Sequence, residues 1–215
     1  MSNKCDIKLV IFDLDGTLID AYRAIIRSFN HAMRELNYCS QSGLVIRRAV
    51  GWGDSNLLAP FVEPGQLKKA VILYRRHHKK SLLEDSRLLP RAKRVLSYLK
   101  ARGYLLAVAS NRPTKFSRIL IRHLGLEKYF AYVLCADKLK AGKPHPEILN
   151  KIRKKFLLRK NEVLYIGDMV IDAQAGRRAG IRTIIVSGGS STQSQIRKQR
   201  PWKMARGLVS LQKLL

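Results

Sequence analysis

Short apolar runs and amphipathic stretches alternate along most of the chain. Five runs have the length and hydrophobicity of buried strands, at residues 8–12, 104–109, 132–135, 163–166 and 182–186. Helical patterns occupy residues 90–103, 114–124, 146–156 and 172–179, and three of them end at or next to a glycine. This regular succession predicts an α/β doubly wound fold, in which helices cover both faces of a parallel sheet.

Residues 19–88 interrupt the alternation with a helical pattern. The first helix of this region, after the candidate N-cap Asp20, has one apolar face. That face consists of Ile25, Ile26, Phe29, Met33 and Leu36. No strand-like run occurs between residues 18 and 85, and Gly51-Trp52-Gly53 is one of several breaks in the pattern. We therefore predict a core of residues 1–18 and 89–215, with residues 19–88 as a helical insert.

Acidic residues follow two of the predicted strands. Asp13 and Asp15 come directly after the first strand, and Asp168 follows the fourth, with Asp172 four residues later. Ligands of open parallel sheets bind at the carboxyl ends of the strands, so these acids converge if the two strands are neighbours. Clustered carboxylates repel one another unless a cation lies among them, and oxygen ligands favour a hard cation such as Mg²⁺.

The Asp13-Leu14-Asp15 segment offers two carboxylates for two different tasks. One can attack phosphorus as a nucleophile, while the other donates a proton to the leaving oxygen. A turn or capping role is the alternative for both residues. Chemistry is the better interpretation, because Asp13 directly follows five residues of a strand that is almost entirely apolar.

Four segments resemble the motifs of the haloacid dehalogenase-like superfamily. They are Asp13-Leu14-Asp15-Gly16-Thr17-Leu18, Ser110-Asn111, Lys143-Pro144-His145-Pro146-Glu147, and Gly167-Asp168 with Asp172. All four occur in the order of the family and span residues 7–186. This ordered set of four motifs is far more specific than any one motif alone. Within the superfamily the chain is similar to the phosphoglycolate phosphatase-like branch, whose helical cap follows the first motif. Residues 19–88 would be that cap.

The resemblance implies a Mg²⁺-dependent phosphatase that forms an aspartyl phosphate. Asp13 would be the nucleophile, and Asp15 the general acid and then the general base, with its backbone carbonyl on the metal. Lys143 would neutralise the phosphoryl charge and orient Asp13. An acid at the position of Asp15 argues for phosphate chemistry, because the members that cleave carbon–halogen bonds lack it.

The remaining site candidates bind metal or substrate. The implied metal ligands are Asp13, Asp15, Asp168 and Asp172. The implied phosphate- or substrate-binding residues are Ser110, Asn111, Thr17, Arg47 and Gly51. Two alternatives stay open: Asp172 is equally a helix N-cap, and Trp52 either covers the leaving group or packs inside the cap. One departure concerns the chain's return from the cap, where Pro90-Arg91 replaces the Pro-Gly that is often seen.

The expected substrate is a small phosphomonoester, with a phosphoglycolate-like anion as the first candidate. Nucleoside monophosphates, sugar phosphates and pyrophosphate remain open. One rival is a phosphomutase of the beta-phosphoglucomutase type, which returns the phosphate to a sugar. The other is a polyanion-binding protein that uses the fold as a scaffold.

Charge is the unusual feature of the composition. The 42 Lys and Arg against 15 Asp and Glu give a formal net charge of +27, which attracts nucleic acid and other polyanions at low salt. Two basic runs are predicted to be structural: residues 75–80, with His77-His78 on a solvated helix face, and residues 151–160, with Ile152, Phe156 and Leu157 on a buried side.

No apolar stretch is long enough for a membrane helix, no secretory signal is seen, and three unpaired cysteines fit a reducing compartment, so we expect a cytoplasmic enzyme.

Overall fold

The computed structural model describes residues 7–213. Its strands are β1 Leu9–Phe12, β2 Ile19–Asp20, β3 Arg87–Leu88, β4 Leu105–Ser110, β5 Tyr132–Cys135, β6 Val163–Gly167, β7 Arg182–Val186 and β8 Lys203–Ala205. Its α-helices are α1 Tyr22–Glu35, α2 Gly43–Ala49, α3 Asp54–Leu58, α4 Leu67–Asp85, α5 Ala92–Ala101, α6 Thr114–His123, α7 Glu147–Lys155, α8 Val170–Ala179 and α9 Gln193–Lys198. The helix and strand pattern of the core is therefore close to the one predicted.

Six of these strands form a parallel sheet in the order β5-β4-β1-β6-β7-β8. Strand β1 lies in the middle, where Phe12 pairs with Val108 of β4 on one side and with Ile166 of β6 on the other. The predicted first and fourth strands are thus neighbours, and the doubly wound α/β fold is confirmed.

Helices cover the sheet on both faces, because alternate residues of each buried strand point to opposite sides. Val10 and Phe12 of β1 belong to the larger core, which includes residues of α5 and α6. Leu9 and Ile11 belong to a second core that includes residues of α7 and α8. Every residue of β1 is fully buried, which explains why its sequence is an unbroken apolar run.

Helices α1 to α4 form a separate packing unit with its own apolar core. Tyr22, Phe29 and Met33 of α1 are buried there against residues of α2, α3 and α4. The chain enters and leaves this region through the antiparallel pair β2 and β3, in which Ile19 lies opposite Leu88. The limits of the cap at residues 19 and 88 stay a prediction, and residues 1–6, 214 and 215 of the predicted core lie outside the described part.

Several local predictions need correction. Asp20 is not the N-cap of α1, because it still belongs to β2; Ala21 occupies that position, and Asp20 accepts a hydrogen bond from the Tyr22 N–H. The two-residue strand β2 also contradicts the absence of strands after residue 18, since two residues are too few to give a pattern. Leu157, predicted on a buried side, is 92% exposed because the chain leaves α7 before it, at φ 55°.

Other differences lie near the chain's turns and at its end. Helix α9 and strand β8 were missed, because β8 is short and half exposed and α9 is only six residues long. Arg91 adopts φ 67° just before α5, the left-handed conformation that favours the glycine often found there. Among the described residues no helix has the length and hydropathy required to cross a bilayer.

Candidate active site

The carboxyl ends of β1 and β6 bring the predicted acids together. Asp13 follows β1 and Asp168 follows β6, while Asp172 lies in the first turn of α8. One carboxylate oxygen from each of these three residues lies within 4.8 Å of the other two, and all three residues are buried. The parallel register of the central strands produces this convergence, as the sequence predicted.

Lys143 places an ammonium group inside the acidic cluster. Its Nζ lies 2.7 Å from Asp13 Oδ1 and 2.8 Å from Asp172 Oδ1, and it donates to the Tyr165 hydroxyl at 3.0 Å. Burial alone would lower the pKa of Lys143, but Asp13 and Asp172 outweigh it and the pKa is raised. Lys143 therefore stays positively charged and holds the Asp13 carboxylate in place.

The cluster still holds three carboxyl groups against the single ammonium group of Lys143. Burial raises the pKa of Asp13 to about 7 despite Lys143, and burial with the charges of Asp172 and Asp13 raises the pKa of Asp168 well above its usual value. Asp168 Oδ2 is buried and has no hydrogen-bond partner among the described residues. An oxygen-only set with an unsatisfied buried carboxylate fits a hard divalent cation such as Mg²⁺.

Asp172 is not the N-cap of α8, a position that Met169 occupies, but its carboxylate contacts both the start of the helix and the acidic cluster. Its Oδ2 accepts hydrogen bonds from the backbone N–H groups of Asp168 and Met169, so it satisfies two donors at the start of α8. It does so from the first turn, since α8 begins two residues earlier than predicted. Its Oδ1 meanwhile accepts from Lys143 and Tyr165 within the cluster.

Two glycines allow the backbone to approach Asp168. Gly16 has φ 82°, and a Cβ added there would lie 2.1 Å from Asp168 Oδ2. A Cβ on Gly189, in the loop after β7, would lie 2.2 Å from the same oxygen. Thr17 donates to Asp168 Oδ1 at 2.8 Å, so the structure places this predicted phosphate-binding side chain against an acid of the cluster.

Asp15 lies outside the acidic cluster and is held by an arginine that the sequence analysis did not select. Arg112 donates from Nε to Asp15 Oδ2 at 2.9 Å and from Nη2 to Asp15 Oδ1 at 2.8 Å. The side chain of Asp15 therefore lies apart from the other predicted metal ligands. That the backbone carbonyl of Asp15 binds the metal stays a prediction. Arg112 follows Ser110-Asn111 directly, but one arginine among so many basic residues gave no signal.

Ser110 and Asn111 occupy different positions at the end of β4. Ser110 lines the cavity beside Asp13, and its Oγ accepts from the Arg112 N–H at 3.1 Å. The Asn111 side chain accepts from the Lys143 N–H and donates to the backbone carbonyls of Lys143 and Gly51. The Asn111 amide thus joins the Lys143 loop to the cap through three hydrogen bonds, and phosphate binding by Asn111 stays a prediction.

The cap residues predicted to meet the substrate divide into two groups. Gly51 lines the cavity at φ 113° and packs against Met169. Arg47 does not line it: its guanidinium lies over the Tyr22 ring at 3.9 Å and donates to the Gly188 carbonyl. Trp52 is 46% exposed, so it does not pack inside the cap.

The cavity between core and cap is small, with a volume of about 50 Å³, and is partly open to solvent. Its walls are formed by Asp13, Asp15, Ser110, Asn111, Arg112, Lys143, Met169 and Ile171 of the core and by Ile25, Val50, Gly51, Gly53, Asp54, Leu57 and Tyr74 of the cap region. Two wider grooves, of about 360 and 550 Å³, are both lined by Trp52. The nucleophile and acid candidates therefore share a confined space with room for a phosphoryl group.

The prediction that His77 and His78 lie on a solvated helix face is wrong for His78. His78 is fully buried, and His77 is partly buried. Residues Tyr74, His78 and Leu82 are spaced at intervals of four and form the buried stripe of α4. That spacing was the available signal, and the basic residues on either side of the histidines obscured it.

Comparisons with known proteins agree with this geometry. A family model described as haloacid dehalogenase-like hydrolase matches residues 10–186. The phosphoglycolate phosphatase of Rhodobacter capsulatus is 35% identical over 186 residues, covering 84% of each chain. That of Haemophilus influenzae is 30% identical over 206 residues, covering 90% of this chain and 92% of the relative. A crystal structure described as a predicted phosphoglycolate phosphatase from Haemophilus somnus has a TM-score of 0.91 at 27% identity, with 97% of both chains covered.

Proposed function

The chain belongs to the haloacid dehalogenase-like hydrolases and is a phosphatase, and we propose that it uses Mg²⁺ to hydrolyse a small phosphomonoester through an aspartyl phosphate. Phosphoglycolate is the first candidate substrate, because it is the substrate in the names of several relatives. The observation that carries the proposal is the cluster of Asp13, Asp168 and Asp172 around Lys143, beside the separate carboxylate of Asp15.

The proposed reaction has two steps. In the first, the Asp13 carboxylate attacks phosphorus, the bond from phosphorus to the ester oxygen breaks, and Asp15 donates a proton to the departing oxygen. In the second, Asp15 takes a proton from a water molecule that attacks the phosphorus of the aspartyl phosphate. Inorganic phosphate leaves, and the Asp13 carboxylate and the protonated Asp15 are restored.

The other residues of the site handle charge. Lys143, in contact with Asp13, neutralises negative charge that the phosphoryl group brings into a buried site. Asp13, Asp168 and Asp172 are the residues that would hold Mg²⁺. When bound, the ion would supply further positive charge next to the phosphoryl oxygens. Ser110 lies where its hydroxyl can donate to a phosphoryl oxygen, since it lines the same cavity.

The shape of the cavity supports a small leaving group. A nucleoside is much larger than the cavity of about 50 Å³ and would have to extend beyond it, into one of the two grooves beside Trp52. A two-carbon acid such as the glycolate of phosphoglycolate needs far less space outside this cavity.

Replacement of the nucleophile tests the proposal. We expect Asp13→Asn to abolish phosphate release from phosphoglycolate and p-nitrophenyl phosphate in the presence of Mg²⁺, because an amide does not attack phosphorus. Asp20→Asn is the matched control, since its oxygen still accepts from the Tyr22 N–H and the residue does not line the cavity. Removal of Mg²⁺ with EDTA should stop turnover, and added Mg²⁺ should restore it.

A screen of phosphorylated metabolites would identify the substrate. Phosphoglycolate should give the highest kcat/KM among two- to six-carbon phosphoesters. Full activity of Asp13→Asn would refute the assigned nucleophile. If the screen instead gave isomerised sugar phosphate with little free phosphate, the reaction would be that of a mutase and not hydrolysis.

A further inference from the structure

A buried chain of hydrogen bonds runs from Asp15 into the cap. Arg112 binds both oxygens of the Asp15 carboxylate and donates from Nη1 to His78 Nε2 at 2.6 Å. His78, on α4, continues the chain through Nδ1 to Ser28 Oγ on α1 at 3.0 Å. Ser28 donates to the Ala24 carbonyl at 2.8 Å, and its Oγ also lies 3.3 Å from His77 Nδ1. The candidate acid of the core is thus connected to two cap helices.

The directions of these hydrogen bonds assign the state of His78. Arg112 has only donors, so His78 Nε2 must be an acceptor and the ring must be neutral with its proton on Nδ1. That proton is donated to Ser28 Oγ, which agrees with the Ser28 hydroxyl donating to Ala24. Burial and the nearby charge of Arg112 lower the pKa of His78 well below its usual value, which keeps the ring neutral.

The geometry at Arg112 restricts the position of Asp15. Two parallel N–H···O bonds fix both the distance and the plane of a carboxylate, which one bond from a lysine would not do. Arg112 is itself restrained, because it is buried and its remaining guanidinium nitrogen, Nη1, donates to His78. The His78 ring is held by stacking on Tyr74, with ring centroids 4.7 Å apart. Displacement of α4 would therefore also leave a buried Arg112 donor without an acceptor.

We infer that Arg112 is a positioning residue that holds the Asp15 carboxylate in the orientation needed for proton transfer and links that orientation to the cap through His78. The inference rests on the proposed function of Asp15 as general acid and base. Arg112 also lines the cavity, so direct binding of the substrate phosphate is the competing role, and a purely structural role is the third.

The dependence on the leaving group separates these roles. The p-nitrophenolate ion leaves without protonation, whereas the alkoxide of phosphoglycolate, or of the alkyl phosphate that the screen identifies, requires the proton from Asp15. We expect Arg112→Met to lower kcat/KM about 100-fold for the alkyl phosphate and about 10-fold or less for p-nitrophenyl phosphate. The ratio kcat/KM is the quantity to compare, because it reports formation of the aspartyl phosphate and not its hydrolysis, in which Asp15 serves both substrates alike. Arg122→Met is the matched control, since its ion pair with Glu127 is exposed.

Variants of His78 test the link to the cap without changing the arginine. His78→Gln keeps an acceptor near the position of Nε2 and should retain kcat/KM within about threefold, whereas His78→Leu removes it and should lower kcat/KM for the alkyl phosphate about tenfold. Equal losses of kcat/KM for both substrates in Arg112→Met would overturn the positioning role and assign Arg112 to phosphate binding. Equal kcat/KM of the two His78 variants would remove the link.

A measurement of stability distinguishes failure of this inference from failure of the proposed function. Urea unfolding of Asp15→Asn, His78→Leu and the double variant forms a cycle between two residues joined by Arg112. If the chain of hydrogen bonds acts as a unit, the double variant loses less stability than the sum of the single losses. Additive losses would overturn the link. A wild-type protein that hydrolyses no phosphoester would refute the proposed function, and the cycle would still decide the link.

Discussion

The two walls of the cavity differ in composition and in the way they are built. The core wall carries charged and polar groups, among them Asp13, Asp15 and Lys143, at the ends of neighbouring parallel strands or in the loops between them. The cap wall is mainly apolar, with Ile25, Val50 and Leu57 on helices and loops of the insert. Its polar groups are fewer, and Asp54 and Tyr74 supply most of them.

The difference indicates a division of labour between chemistry and substrate selection. Groups that act on the phosphoryl group at hydrogen-bond distance need the rigid spacing that a buried parallel sheet provides. An apolar wall on a separate unit can change in shape without disturbing that spacing. The hydrogen bonds from Arg112 to His78 and from Asn111 to Gly51 show that the two walls are nevertheless joined at two points.

The largest effect should come from removing the cation of the core wall. Lys143→Met leaves the carboxylates of Asp13 and Asp172 without their shared ammonium group, and we expect kcat to fall about 1,000-fold. Loss of one partner from a buried ion pair should also destabilise the fold by about 3–5 kcal/mol. Kinetics and thermal unfolding, with the exposed Lys140→Met as control, would measure both. A loss of only a few-fold in kcat would contradict the assignment of the chemistry to the core wall.

A smaller effect is expected where the backbone approaches the metal-binding acids. Gly16→Ala would bring a Cβ to 2.1 Å from Asp168 Oδ2, so we expect Mg²⁺ affinity, measured by calorimetry, to weaken about 10- to 100-fold. Gly103→Ala is a close control, because Gly103 has φ 83° against 82° for Gly16 but no atom within 4 Å of the added Cβ. The control should lose only about 1 kcal/mol of stability. Equal Mg²⁺ affinity in the two variants would place the metal elsewhere.

Most of the core wall was predictable from the sequence, and most of the cap wall was not. A strand such as β1 is identified by its apolar run, and residues that follow it must lie at the carboxyl edge of the sheet, so Asp13 and Asp168 could be placed together. The burial of His78 is indicated only by the four-residue spacing of the buried stripe of α4, and the helices that cover this stripe, α1 and α6, are set by tertiary packing. The same reason applies to Arg47, which was predicted to meet the substrate and does not line the cavity.

Arg112 shows a different limit of sequence reasoning. Its position directly after Ser110-Asn111 was visible, but its side-chain direction depends on an acceptor 97 positions earlier, in the first motif. Its second acceptor lies 34 positions earlier, in the cap. In a chain with 42 basic residues, only three-dimensional contact distinguishes this arginine from the solvated ones.

The smallest expected effect belongs to the cap wall and concerns charge. Asp54 lines the cavity and is paired with Arg75 at 2.8 Å, and no cation of the cap region lines this cavity within residues 7–213. Asp54→Asn removes a negative charge that faces an anionic substrate, so KM for phosphoglycolate should fall about threefold to tenfold with kcat nearly unchanged. KM for p-nitrophenyl phosphate, which lacks a carboxylate, should fall less.

Leu57→Ala provides the comparison for Asp54→Asn, since Leu57 lines the same wall without charge. It should affect the two substrates alike. A rise in KM for phosphoglycolate in Asp54→Asn would mean that the pair with Arg75 positions the substrate carboxylate instead of repelling it. A large fall in kcat would mean that the cap wall takes part in the chemistry, because a residue that only selects the substrate contributes equally to the ground state and the transition state.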